Sequence, residues 1–129
     1  MAEATAQQVR IERMAYGPEA VGRLESGKTV FVAGAVPGDL VEVAVDREAE
    51  RYCNGHASKV LEASPDRVVP ECPYAAVCGG CPWAQISYDA QARHKRDGVV
   101  SALARIGRMR EERAEALVAP LVSPSAPWG

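Results

Sequence analysis

Three of the four cysteines stand within ten residues, in the run Cys72-Pro73-Tyr74-Ala75-Ala76-Val77-Cys78-Gly79-Gly80-Cys81-Pro82-Trp83. The spacing is C-x5-C-x2-C. Thiolates are soft ligands, and three in one short loop suit an iron–sulfur cluster or zinc. Cys78 and Cys81 form a close pair that can bite one metal centre, and Cys72 reaches another corner. Gly79 and Gly80 carry no side chain to block the approach, and their N–H groups are available to bridging sulfides. Tyr74 and Trp83 are placed to shield such a centre from water. No export signal precedes the cluster, and in a reducing compartment cysteines so grouped bind metal more often than they form disulfides.

Three thiolates alone do not choose the metal. Zinc sites usually have four ligands with C-x2-C pairs on both sides, and a second pair is missing. A cubane cluster also needs a fourth ligand, for which Cys53, His56 and His94 are the local candidates. Cys53 and His56 fall in a predicted strand, where Cys is more often a small core residue. His94 falls on the polar side of a predicted helix, where a solvated imidazole is expected.

A second set of residues suits nucleic acid. Arg10, Arg13, Arg23, Lys28, Arg47, Arg51 and Lys59 are interleaved with Tyr16, Phe31 and Tyr52. Cations track phosphates and aromatic rings stack on unpaired bases. The plain alternative is a solvated surface of mixed charge, with Phe31 in the core. Further along, Arg93, Lys95, Arg96, Arg105, Arg108 and Arg110 form a basic band.

The elements that must hold these residues read as β structure first. Residues 7–14 alternate, with Val9 and Ile11 on one face and Arg10 and Glu12 on the other. Tyr16-Gly17-Pro18 is a turn, and residues 20–24 are a short strand. Ser26-Gly27-Lys28 turns into a strand over 29–32. Val36-Pro37-Gly38-Asp39 is a Pro–Gly turn. Residues 40–45 alternate again, with Val41, Val43 and Val45 facing one way. Residues 46–51 are a charged loop, and 52–61 are a fifth strand. Five short strands between turn signals predict a small closed barrel, which leaves no exposed edge. Residues 64–86 hold the cysteines with Pro and Gly and predict an irregular loop.

Residues 87–106 predict a helix. Ser87 is the N-cap, Asp89 complements the dipole, and Gly107 is the left-handed residue at its end. Tyr88, Ala92, Val99, Leu103 and Ile106 form its apolar stripe, with Arg93, Lys95, Arg96 and Arg105 largely off it. Gly98 weakens its middle by about 1 kcal/mol. Beyond residue 111 the pattern fades; residues 116–122 can begin a strand that lacks a partner.

The bulk numbers bound the function. A chain of 129 residues holds one modest domain or a small one with an appendage. The formal net charge of −2 argues against a strongly basic nucleic-acid binder. No apolar run is long enough to span a bilayer, so no membrane partner is expected and a cytoplasmic address follows by default.

The residues resemble a known family. Val9-Arg10-Ile11-Glu12-Arg13-Met14-Ala15-Tyr16-Gly17-Pro18-Glu19-Ala20-Val21-Gly22-Arg23 looks like the opening of a TRAM domain, and Val30-Phe31-Val32 with Val36-Pro37-Gly38-Asp39 continues the match. Ser64-Pro65-Asp66-Arg67, the cysteine run and Ile86-Ser87-Tyr88-Asp89-Ala90-Gln91 resemble the bacterial RNA uracil-C5 methyltransferases, the ribosomal RNA branch above all.

That resemblance implies a mainly β fold: an OB-like TRAM barrel over 7–63, a cluster loop over 64–86 and one α-helix over 87–107. Residues 108–129 would start a truncated central domain, the whole being a fragment of a larger α/β protein. It implies a [4Fe–4S] cluster for which Cys72, Cys78 and Cys81 match the first three ligands, the fourth lying beyond residue 129. It implies an RNA partner, ribosomal in this branch, met at Arg10, Arg13, Tyr16, Arg23, Lys28, Arg93, Lys95 and Arg96, and a monomer. S-adenosylmethionine would bind a carboxy-terminal domain.

Uracil C5 methylation needs a thiolate that adds at C6 and a base that removes the C5 proton. This chain has no Gly-rich cofactor turn before a helix and no spare cysteine in a catalytic motif, so it is not expected to methylate by itself. Alternatives are a standalone TRAM-type RNA-binding module with a structural metal, and an electron-transfer or redox-sensing protein. A radical methylthiotransferase would place the TRAM domain after its catalytic cysteines; here it comes before them.

Overall fold

A computed structural model describes residues 7–15, 17–74, 78 and 82–124. The chain divides into two compact units, residues 1–86 and residues 87–129.

The first unit is a closed five-stranded barrel with strand order β1-β2-β3-β5-β4. Its strands are β1 (Gln7–Met14), β2 (Ala20–Arg23), β3 (Thr29–Ala33), β4 (Leu40–Glu48) and β5 (Tyr52–Glu62). β3 and β5 pair in parallel and every other pair is antiparallel. Alternation does what it predicts in β1, where Val9 and Ile11 are buried and Arg10 and Glu12 are exposed. The predicted charged loop is shorter than 46–51, because β4 continues through Asp46, Arg47 and Glu48 opposite β5.

The barrel interior is aliphatic. Val9, Ile11, Val30, Val32, Val41, Val43 and Cys53 are each 2% exposed or less. Gly55 permits β4 and β5 to approach, since a Cβ there would lie 2.5 Å from the Ala44 carbonyl oxygen. The Pro37–Gly38 turn closes as expected: Asp39 N–H donates to the Val36 carbonyl at 2.9 Å, and Gly38 has φ +97°.

After β5, residues 63–74 and 82–86 show turns and an isolated bridge between Arg67 and Ile86. An internal anchor ties their start to the barrel. Asp39 is fully buried, and its carboxylate accepts from the backbone N–H of Val36 (2.9 Å) and Ser64 (2.7 Å). Arg67 meets the same carboxylate with Nη2 at 2.6 Å and Nε at 3.1 Å, and Nη2 also donates to the Gly34 carbonyl at 2.7 Å. A buried charge demands such partners.

The second unit is helical. α1 (Tyr88–Arg105) starts at Ser87, whose hydroxyl accepts from Ala90 N–H at 3.4 Å. The sequence missed α2 (Glu111–Leu117), where it expected a fading signal and a strand over 116–122. The helix ending also differs: the left-handed residue is Arg108, at φ 55°, rather than Gly107. Gly107 instead passes close to the preceding turn, where a Cβ would lie 2.7 Å from the Leu103 carbonyl oxygen.

The predicted apolar stripe of α1 is corrected too. Ala90 and Val100 are its buried residues, while Val99 and Ile106 are exposed at 47% and 82%. A long polar residue replaces the stripe as the link to α2. Arg96 donates to the Val118 carbonyl (2.9 Å), the Glu115 carbonyl (2.9 Å) and the Glu115 carboxylate (2.9 Å).

Candidate nucleic-acid interface and cysteine loop

The outer face of the barrel follows from strand register. Val30 and Val32 point inward, so Phe31 between them points outward and is half-buried. The sequence expectation of a core Phe31 is therefore overturned. Tyr52 lies beside it, 37% exposed, with ring centroids 5.7 Å apart and planes at 76°. Edge-to-face packing of this kind suits the ring quadrupoles. The signal was present in the alternation of Thr29-Val30-Phe31-Val32, but hydrophobicity outweighed it in the reading.

The predicted RNA-contacting residues do not share one state. Arg13 is exposed, and its side chain makes no hydrogen bond or ion pair among the described residues. Arg10 is held by the Gly38 carbonyl at 3.0 Å and faces Glu62 at 3.6 Å. Arg23 faces Glu12 at 3.7 Å, and Lys28 faces Glu48 at 3.6 Å. Tyr16 lies outside the described residues. In the second unit Arg93 and Lys95 are exposed on α1, whereas Arg96 is half-buried and engaged with α2. Its guanidinium is bonded to Glu115 and Val118.

Cys72 and Cys78 are both reduced and exposed, and Cys78 N–H donates to the Tyr74 carbonyl at 2.8 Å. Cys81, Gly79 and Gly80 lie outside the described residues. Among the described residues no three His, Cys, Asp or Glu side chains gather at one point. The exposed thiols of Cys72 and Cys78 have the chemistry of soft-metal donors. The other local candidates are committed elsewhere. Cys53 is buried in β5 opposite Val30, and His56 Nδ1 lies 2.8 Å from the Asp46 carboxylate. His94 is half-buried on α1 rather than solvated.

The loop is tied down at its far end as well. Trp83 Nε1 donates to the Gly17 carbonyl at 2.8 Å, and Val68 N–H donates to the Gln85 carbonyl at 2.9 Å. Tyr74 is 66% exposed, so it is not packed as a shield among the described residues. The Asp39–Arg67 and Trp83–Gly17 ties bracket the cysteines from both sides. Neither was visible in the sequence, because each joins residues far apart in the chain.

The TRAM domain family matches residues 3–57. Over those residues the chain is similar to a TRAM domain. The chain also resembles RNA methyltransferases. It is 44% identical over 94 residues to the 23S rRNA (uracil(1939)-C(5))-methyltransferase RlmD of Chromohalobacter salexigens, covering 73% of this chain and 20% of that protein. It is 36% identical over 121 residues to an RNA methyltransferase of Gloeobacter violaceus, covering 94% of this chain and 26% of that protein. The tRNA (uracil-54, C5)-methyltransferase of Pyrococcus abyssi, solved with S-adenosyl-L-homocysteine, superposes at TM-score 0.48 with 26% identity over 80% of this chain and 22% of that one. The chain thus spans about a fifth to a quarter of the curated relatives it matches, 20% and 26% in these two cases. The match to the TRAM family ends within β5, and the likeness to the Gloeobacter protein continues well beyond it.

No helix among the described residues is long and apolar enough to cross a membrane.

Proposed function

We propose that this chain is the RNA-binding, cluster-bearing amino-terminal part of an S-adenosylmethionine-dependent ribosomal RNA uracil-C5 methyltransferase. One observation carries the reading: a TRAM barrel over residues 3–57 continues into a cysteine segment within a match that spans 94% of this chain. Chemistry at C5, and the binding of S-adenosylmethionine, belong to the remainder of the full-length protein. A cytoplasmic monomer acting on ribosomal RNA is the setting that this reading entails.

The work of this chain's own residues is binding and positioning. The barrel offers an outer face with aromatic rings and unpartnered guanidinium groups. The Asp39–Arg67 and Trp83–Gly17 ties hold the cysteine segment against that barrel. Cys72, Cys78 and Cys81 would hold three corners of a [4Fe–4S] cluster. When bound, the cluster supplies a rigid cross-link that orders a segment with few buried side chains of its own.

A titration of the chain with labelled ribosomal RNA fragments, followed by anisotropy over a salt series, tests the RNA half of this reading. Binding that weakens as salt rises is expected, with a log–log slope of several units from phosphate neutralisation. An RNA affinity no tighter than that of bovine serum albumin at low salt contradicts it.

A further inference from the structure

The barrel core is built without a single aromatic ring among its buried residues. Yet the chain's only Phe, and one of its four Tyr, lie together on the barrel exterior. Large rings are the strongest contributors to a core, so a pair left outside an aliphatic core calls for a reason.

Register shows what surrounds the pair. Arg13 in β1 partners Val21 in β2, Val21 partners Phe31 in β3, Phe31 partners Asn54 in β5, and Asn54 partners Arg47 in β4. Cross-strand partners share a face, so these side chains form one row on the outer side of the sheet, covered at Val21 (5% exposed) and open or half-open at Arg13, Phe31, Asn54 and Arg47. Tyr52 stands one outward position before Asn54 on β5 and packs its ring against Phe31. Arg13 and Arg47 each lie two strands from Phe31, about 10 Å across the sheet at the usual strand spacing. Both guanidinium groups are exposed and make no hydrogen bond or ion pair among the described residues, and the same holds for Arg51 next to Tyr52.

Two carboxylates near the row have basic partners: Glu48 faces Lys28 at 3.6 Å and Asp46 faces His56 at 2.8 Å. Glu19 accepts from the neutral Asn54 amide at 3.3 Å. Arg13, Arg47 and Arg51 place three exposed guanidinium groups on the flanks of the aromatic centre.

We infer that Tyr52, braced at right angles by Phe31, is a stacking platform for one unpaired base of single-stranded RNA, with Arg47 and Arg13 meeting the phosphates on either side. The inference rests on the RNA-binding reading above and gives it a location. Bracing matters because it fixes the Tyr52 ring before the base arrives, and a held ring loses less entropy on binding. The Asn54 amide, beside the rings, supplies donor and acceptor groups to a base edge.

The test uses the full chain with a fluorescein-labelled single-stranded RNA and with a duplex of the same sequence, read by anisotropy over a salt series. Tyr52→Ala and Phe31→Leu are expected to weaken single-strand binding about tenfold or more, as losing one stacked base does, while leaving the salt slope unchanged. Arg13→Gln and Arg47→Gln are expected to lower that slope by about 0.7 each. Duplex binding should be weaker and indifferent to Tyr52→Ala. Unchanged single-strand affinity in both ring variants overturns the platform while leaving RNA binding in place. An absence of binding by the unmodified chain overturns both. Should a ring variant fail to fold, the unmodified chain decides by NMR: the Phe31 and Tyr52 ring protons are expected to shift upfield on saturation with RNA, and rings that do not move overturn the inference.

Discussion

Asp39 and Arg67 show how one buried carboxylate can tie the chain that follows β5 to the barrel. The carboxylate is fully buried, and Arg67 meets it with two nitrogens while also reaching the Gly34 carbonyl. Removing the arginine would strand a charge inside the barrel. Arg67→Ala is therefore expected to destabilise the first unit by about 3 kcal/mol, read as a lower urea midpoint with an unchanged slope. A midpoint shifted by less than about 0.5 kcal/mol would mean that water reaches Asp39 freely. At this scale the sequence was legible where chemistry is local. Cysteine spacing singled out Cys72, Cys78 and Cys81, and a Pro–Gly pair marked the turn at Pro37 and Gly38. It was not legible where the partner is remote. Nothing in the chain announces that Asp39 will find Arg67 28 positions later, and the hydrophobicity of Phe31 concealed its outward direction.

At the scale of elements, period-2 alternation marked β1 and β4, and turn signals set off β2, β3 and β5. The helical unit was harder to read. α1 buries only Ala90 and Val100, so a search for a wide apolar stripe picked residues such as Ile106 that lie in solvent. α2 has seven residues, too few to be stable alone, and relies on neighbours. Arg96 supplies that support by capping carbonyls at its carboxy-terminal end, where a cation also favours the helix dipole. Arg96→Ala should speed hydrogen exchange of the Val118 amide, which donates to the Ala114 carbonyl, by about tenfold, on the order of 1.4 kcal/mol. Amides in β5 should be unaffected. Equal protection in the variant would show that α2 is held by other contacts.

On the scale of the molecule, the proposal assigns RNA binding and a cluster to adjoining parts of one chain. A barrel whose interior is aliphatic presents aromatic rings and free guanidinium groups outside. A cysteine segment is bound to that barrel at both ends. The formal net charge of −2 misdirects a reading based on totals, because pairing of carboxylates with Arg23, Lys28 and His56 leaves other cations available locally. The proposed full-length enzyme would use this part to seize RNA and hold it steady while a separate domain carries out methyl transfer.

The most direct measurement of this account is an anaerobic preparation, reconstituted with iron and sulfide in competition with zinc, and analysed for all three per chain. With a small thiol added to take the fourth ligand position, the account predicts about four iron and four sulfide, lost in Cys72→Ser, Cys78→Ser and Cys81→Ser. One zinc per chain without sulfide, or iron uptake indifferent to those substitutions, would contradict it.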